Sequence, residues 1–253
     1  MRRSRVCLVT TLFCTLQITV VSAQQAPHPP DYPGVGVRIP GVFVTPIPSA
    51  PFSGTVEIVS KELLPDGSTR TRQTVNHIAR NSAGIIYNER RMLMPPAFRG
   101  EPGLLSSHIY DPQTRLSTFL DPRTHLARQI LLKQAPQNVE NNAPQTLVRA
   151  ARGPNVTVTD LGTETVAGLL LHGTRKERIV PASLSGTGKE ITITDDYWLS
   201  DELDVYLIVR HNDPRTGEQT VGIVDISRSE PDPATFQVPA KYKIVDETPA
   251  AQP

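Results

Sequence analysis

Alternation of apolar and polar residues is the main signal in this chain, and it is clearest between residues 189 and 227. Leu203, Val205, Leu207 and Val209 are interleaved with Asp204, Tyr206, Ile208 and Arg210. A strand sends successive side chains to opposite faces, so this spacing predicts a strand with one dry face. Upstream, Ile191 and Ile193 alternate with Thr192 and Thr194. Downstream, Val221 and Ile223 resume the pattern after the turn Asn212-Asp213-Pro214-Arg215-Thr216-Gly217. In such a turn proline presets φ, aspartate bonds nearby backbone, and glycine accepts a positive φ. A briefer turn follows Ser200, so the stretch predicts three consecutive antiparallel strands.

The rest of the chain reads in the same way. Phe52, Val56 and Ile58 alternate with Ser53, Thr55 and Glu57. Leu64-Pro65-Asp66-Gly67-Ser68 is a hairpin signal, with a return strand over 69–80. Asn81-Ser82-Ala83-Gly84 turns the chain into a strand over 85–92, and 95–103 is a loop. Two further turns, Asp111-Pro112-Gln113-Thr114 and Asp121-Pro122-Arg123-Thr124, share the chemistry of 213–216. They are recurring turns and not a sequence repeat, because the flanking strands differ in period. Short strands are predicted over 115–120 and 125–132. Residues 133–154 read as a loop with one or two helical turns over 147–152, and a loop this long is mobile or functional. Val156 and Val158 alternate with threonines, and 169–180 fits a strand whose Gly173 marks a bulge or a curved sheet. A last ordered piece spans 236–245. The predicted fold class is all-β: an antiparallel meander of about ten or eleven strands in a strongly curved sheet or incomplete barrel, with little helix.

The N-terminus changes the picture. Residues 1–5 are basic, 6–21 are mostly apolar, and Val21-Ser22-Ala23 places small residues where a signal peptidase reads. This predicts a signal peptide over 1–23 and an exported protein, periplasmic or extracellular, that is not integral to the membrane after cleavage. Both cysteines, Cys7 and Cys14, fall inside that segment, so thiolate and disulfide chemistry is excluded from the rest. Residues 24–51 carry eight prolines and read as a linker. A single β domain over 52–246 and a disordered tail over 247–253 complete the expected organisation. The net charge of +1 gives no electrostatic case for nucleic acid or an anionic membrane.

Candidate chemistry is sparse. None of the six histidines lies in a metal-binding spacing. Ser185-Gly186-Thr187-Gly188-Lys189-Glu190 lacks the first glycine and the final hydroxyl of a phosphate loop. No G-x-S-x-G elbow occurs. Asp195, Asp196, Asp201, Glu202 and Asp204 form a carboxylate cluster that reads as a solvated acidic edge. The candidate binding residues are Tyr197, Trp198 and Tyr206, because flat amphipathic rings line ligand clefts and interfaces. No catalytic residue, metal ligand or cofactor is implied.

Four stretches carry a resemblance: PFSGTVEIVSKELLPDGSTRTRQTVNHIARNSAG, IYDPQTRLSTFLDPRTHLARQ, DYWLSDELDVYLIVRHNDPRTGEQT and EPDPATFQVPAKYKIV. In this order they resemble a family of uncharacterised exported bacterial proteins with an L-x-D-G hairpin, aspartate-proline turns, a tryptophan-tyrosine strand and a closing F-x-V-P-x-x-Y. That family's R-D-S-x-G-R-x-R-x-E pattern is altered here to Arg80-Asn81-Ser82-Ala83-Gly84-Ile85-Ile86-Tyr87-Asn88-Glu89, which removes an acid and two arginines. More loosely, the meanders resemble periplasmic lipoprotein carriers of the LolA/LolB kind, which implies an incomplete barrel with a concave, acyl-binding side. The resulting expectation is a non-catalytic exported envelope protein that binds a lipid-like ligand or a protein partner in a curved β-sheet. Two alternatives stand beside it. One is an envelope hydrolase using groups such as His172 and the acids around Asp195; the other is a structural extracellular protein.

Overall fold

The computed structural model describes residues 44–132 and 155–249. The first antiparallel meander comprises β1 (Phe52–Leu63), β2 (Thr69–Arg80), β3 (Ile86–Arg91), β4 (Leu104–Asp111), β5 (Leu116–Asp121) and β6 (Leu126–Leu131). The second comprises β7 (Val156–Val166), β8 (Leu169–Val180), β9 (Ile191–Ser200), β10 (Val205–Asp213) and β11 (Gly217–Ser227). Antiparallel pairing of β1 with β11 joins the two, and β12 (Lys243–Asp246) adds in parallel to β6. The result is one curved twelve-stranded sheet, ordered β12-β6-β5-β4-β3-β2-β1-β11-β10-β9-β8-β7, which does not close. A four-residue helix, α1 (Ala182–Ser185), and a 3-10 turn (Pro233–Phe236) are the helical pieces described. The expected all-β fold is therefore observed, with one or two more strands than the periodicity predicted. The signal segment 1–23, most of the linker, the loop 133–154 and residues 250–253 lie outside the described residues.

The strand registers explain which face is dry. Val56 stands opposite Ile223 on β11, and Ile58 stands opposite Val221. Val209 on β10 continues the row from Val221. These five side chains are buried, as are Phe52, Ile78, Leu207 and Ile193. This is the inner face of the sheet. Burying each large aliphatic chain contributes about 1.5–3 kcal/mol. The intervening residues of the same strands, such as Glu57, Gln73, Arg210 and Thr220, are exposed on the outer face.

The three aspartate-proline turns fold as their shared chemistry predicts. Asp111, Asp121 and Asp213 each accept the backbone N–H two residues on, at 2.8–2.9 Å. The fifth position of each turn has positive φ: Arg115 at 61°, His125 at 53° and Gly217 at 104°.

Residues 44–51, assigned to the linker by composition, are held against the sheet. Val44 is fully buried. Arg80, at the end of β2 and also fully buried, anchors this strap. Its Nε donates to the Ala50 carbonyl and its Nη1 to the Thr45 carbonyl, each at 2.7 Å. Its Nη2 donates to the Leu203 carbonyl, in the β9–β10 turn, at 2.7 Å. The guanidinium lies over the Phe52 ring, 5.0 Å from its centroid. Burial lowers its pKa to about 10, partly offset by Asp204, so it remains a cation at neutral pH. Gly84, at φ 85°, brings the next turn close beneath the Ile47 backbone. The motif Arg80-Asn81-Ser82-Ala83-Gly84 is therefore a fastening for the strap.

The closing motif Phe236-Gln237-Val238-Pro239-Ala240-Lys241-Tyr242 covers the outer face of the first meander. Val238 and Tyr242 pack on Ile109, Leu120 and Ala127, together with Ile85 and Tyr87. On the opposite face of β4, His108 stacks on Phe119 at 4.3 Å, and its Nε2 lies 2.8 Å from the Ser117 hydroxyl. Burial lowers the His108 pKa to about 4. An unfolded histidine titrates near 6.5, so between these values the unfolded chain takes up a proton that the folded chain refuses. The stabilising contribution is complete above about pH 6.5 and is lost as pH falls toward 4. Urea unfolding is expected to show about 2 kcal/mol less stability at pH 5 than at pH 7 from this group. In His108→Gln most of that difference disappears; an undiminished difference would contradict the assignment.

Candidate functional site

Following the inner face toward the β1–β2 and β10–β11 hairpin ends, one row of side chains marks a change in chemistry. Thr74, Ile58, Val221, Val209 and Tyr197 form one row, in register across β2, β1, β11, β10 and β9. The next row is Arg72, Ser60, Gln219, His211 and Asp195. On β1, β11 and β10 this face passes from aliphatic to polar within one two-residue step, whereas β2 is already polar from Asn76.

Arg72, Ser60, Gln219 and His211 of this row floor a cleft of about 340 Å³ between the hairpin ends. Leu63, Leu93, Arg70 and Arg215 also line it. Leu63 and Leu93 are 39% and 41% exposed, so the cleft offers apolar surface beside its polar floor. Most of its charges are paired. Arg70 bonds Glu62 at 2.7 Å and Lys61 bonds Glu218 at 2.5 Å. Arg215 binds Asp213 through two nitrogens, at 3.0 and 2.7 Å, and this hydrogen bonding holds the Asp213 pKa below the usual carboxylate range. His211 Nδ1 lies 2.6 Å from Asp195, which fixes the ring.

A histidine–carboxylate pair beside a serine invites comparison with a hydrolase triad. Gln219 stands between Ser60 and His211, which puts those residues two strands, or about 10 Å, apart. No hydrogen bond joins them, so no nucleophile is delivered to the ring. His172, the other histidine named for a hydrolase, contacts Asp201 at 3.2 Å and is exposed. Among the described residues, no three His, Cys, Asp or Glu side chains are placed to hold a metal ion. Among them, no helix is long and apolar enough to cross a membrane.

The aromatic residues singled out by the sequence separate. Tyr197 lies on the inner face, one row from the cleft, and its ring centroid is 5.4 Å from that of Tyr206. A register shift between Tyr206 and Ile208 accompanies this approach. Burial pushes the Tyr206 hydroxyl up to about 12, and burial with Asp195 raises that of Tyr197. Trp198 points the other way, opposite Gly173. A Cβ at Gly173 would stand 2.8 Å from the indole ring, so the glycine is the space the ring uses. The bulge suggested at Gly173 lies in the facing strand, where the register shifts between Asp160 and Gly162. None of the three rings lines the 340 Å³ cleft. A smaller cleft of about 160 Å³ lies between the outer face of β1–β2 and the loop 94–102, lined by Val59, Val75, Met94 and Phe98.

Arg72, Ser60, Gln219 and His211 were missed as a site by reading each strand alone. The available signal was positional: the dry-face series of β1, β11 and β10 turn polar at the same hairpin end, where β2 is polar already. It reads Ile58 to Ser60, Val221 to Gln219, Val209 to His211, and Ile78 through Asn76 and Thr74 to Arg72.

No family model matches the chain, and no curated protein matches it. Among solved structures it is similar to MucB of the Pseudomonas aeruginosa MucA/MucB complex: 12% identity over 77% of this chain and 58% of that one, TM-score 0.39. It is also similar to LprF from Mycobacterium bovis: 11% identity, 72% and 90% coverage, TM-score 0.27. A LolA superfamily protein from Nitrosomonas europaea gives 13% identity, 76% and 91% coverage, and a TM-score of 0.30. The chain spans less than two thirds of MucB. Likenesses this distant transfer no residue role; the LolA superfamily member is of the kind that the looser sequence resemblance named.

Proposed function

We propose that this chain is an exported, non-catalytic envelope protein that binds a lipid-like ligand at the hairpin-end cleft. One observation carries the reading: exposed Leu63 and Leu93 share a 340 Å³ cleft with a polar floor of Arg72, Ser60, Gln219 and His211. The volume lies within the usual range for small-molecule sites, and the pairing of apolar wall with polar floor suits an amphiphile. The separation of Ser60 from His211 supports a binding role over a hydrolytic one. Export rests on the basic, apolar and small-residue series over 1–23. Tyr197 and Tyr206, one row inward, are proposed to support the cleft floor, and Trp198 belongs to the other face.

Native mass spectrometry of the protein purified from a bacterial envelope, paired with solvent extraction, tests this. The expected result is a stoichiometric adduct of a few hundred daltons or more that extraction releases as an amphiphile. A bare chain that also fails to take up added alkyl amphiphiles would overturn the reading; a stable complex with a polypeptide would favour a protein partner instead.

A further inference from the structure

The charge pairing within the cleft leaves one cation unequal to its neighbours. Lys61, Arg70 and Arg215 each hold a carboxylate at 2.7 Å or closer. Arg72 makes a single long contact, Nη2 to Glu62 at 3.4 Å, and that carboxylate already serves Arg70. The Arg72 side chain is 41% exposed. Along the same floor, the Gln219 amide and the Ser60 hydroxyl offer further hydrogen-bonding groups. His211, held through Nδ1 by Asp195, keeps Nε2 for another partner. With Lys61 set against Glu218, Arg70 against Glu62 and Arg215 against Asp213, Arg72 is the cation left over in the lining.

Resting on the amphiphile reading above, we infer that the ligand carries an anionic head group, a phosphate or carboxylate, and that Arg72 is its principal contact. A planar guanidinium with unused donors matches both oxyanions through paired hydrogen bonds. Gln219 and Ser60 supply donors beside it. Arg72 and His211 are three strand spacings apart, about 14 Å, so a head group of modest size contacts Arg72 and the central donors, and a larger one reaches His211. The alkyl part lies on Leu63 and Leu93.

Calorimetric titration with three probes tests this: decyl phosphate and decyl maltoside, each below its critical micelle concentration, and inorganic phosphate. Decyl phosphate is expected to bind about tenfold or more tightly than decyl maltoside. Arg72→Gln is expected to remove that advantage by weakening decyl phosphate binding far more than decyl maltoside binding, and Arg72→Lys to retain part of it. Because Arg72 makes one long contact, the variants are expected to melt with the native protein, and circular dichroism checks this. Equal binding of the two alkyl probes, unaffected by Arg72→Gln, overturns the head-group inference and leaves the amphiphile reading standing. Inorganic phosphate binding as tightly as decyl phosphate overturns the amphiphile as the source and assigns the site to a free anion. Binding of none of the three overturns both.

Discussion

Replacing Arg80 with alanine is expected to cost about 4 kcal/mol of folding stability. The side chain is fully buried, and its three donors satisfy three separate carbonyls, of Thr45, Ala50 and Leu203. Removing it leaves those carbonyls without their partner and opens a cavity beside Phe52. Breaking a buried charged network of this kind costs about 3–5 kcal/mol. Lysine is a poor substitute. Its three donors radiate from one nitrogen and cannot span carbonyls on three separate segments, so Arg80→Lys is expected to lose about 2 kcal/mol or more. The strap over residues 44–51 is held by this contact, so limited proteolysis of Arg80→Ala is expected to cleave there before the sheet unfolds. Urea unfolding within 1 kcal/mol of the native protein, with the strap still protected, would show that the arginine is not the fastening.

The second large effect is at Gly217. It closes the aspartate-proline turn of the β10–β11 hairpin at φ 104°, and a Cβ there would collide with the Lys61 carbonyl oxygen on β1. Gly217→Ala therefore combines backbone strain with a clash against backbone that cannot turn aside. A loss of about 3 kcal/mol in thermal or urea unfolding is expected. The equivalent positions Arg115 and His125 make the contrast informative. Each holds positive φ without being glycine, at 61° and 53°. Arg115→Gly is expected to leave stability unchanged or raise it by about 0.5 kcal/mol, since relief of left-handed strain offsets the greater freedom of the unfolded glycine; His125→Gly also deletes the edge contact of the ring with Tyr242, at 5.5 Å. If all three turns responded alike, the contact with β1 would not be what singles out Gly217.

These two positions also show how far the sequence could be read. The aspartate-proline turns were legible because the chemistry is local: one carboxylate bonds the backbone two residues ahead, and proline sets φ. The same locality made β2 readable from its hairpin signal and the β9–β11 meander readable from alternation. Arg80 was not legible as an anchor. Its partners lie 30, 35 and 123 residues away, and nothing in its neighbourhood announces burial of a charge. Proline content placed residues 44–51 in a linker, whereas Val44 and the Arg80 contacts hold them to the sheet. The aromatic reading met the same boundary. Adjacency in sequence suggested that Tyr197 and Trp198 act together, yet a strand sends neighbours to opposite faces. What brings Tyr206 near Tyr197 is a register shift that no local pattern specified. The cleft floor became visible when registers aligned the polar ends of four strands.

Backbone hydrogen exchange, with and without decyl phosphate and in parallel with decyl maltoside, most directly tests whether the inner-face hairpin end is the binding surface. The account predicts that at least one probe slows exchange around Ser60, Arg72, His211 and Gln219, and leaves the outer-face cleft around Val75 and Phe98 unchanged. Protection confined to that outer cleft, or no change with either probe, would contradict it.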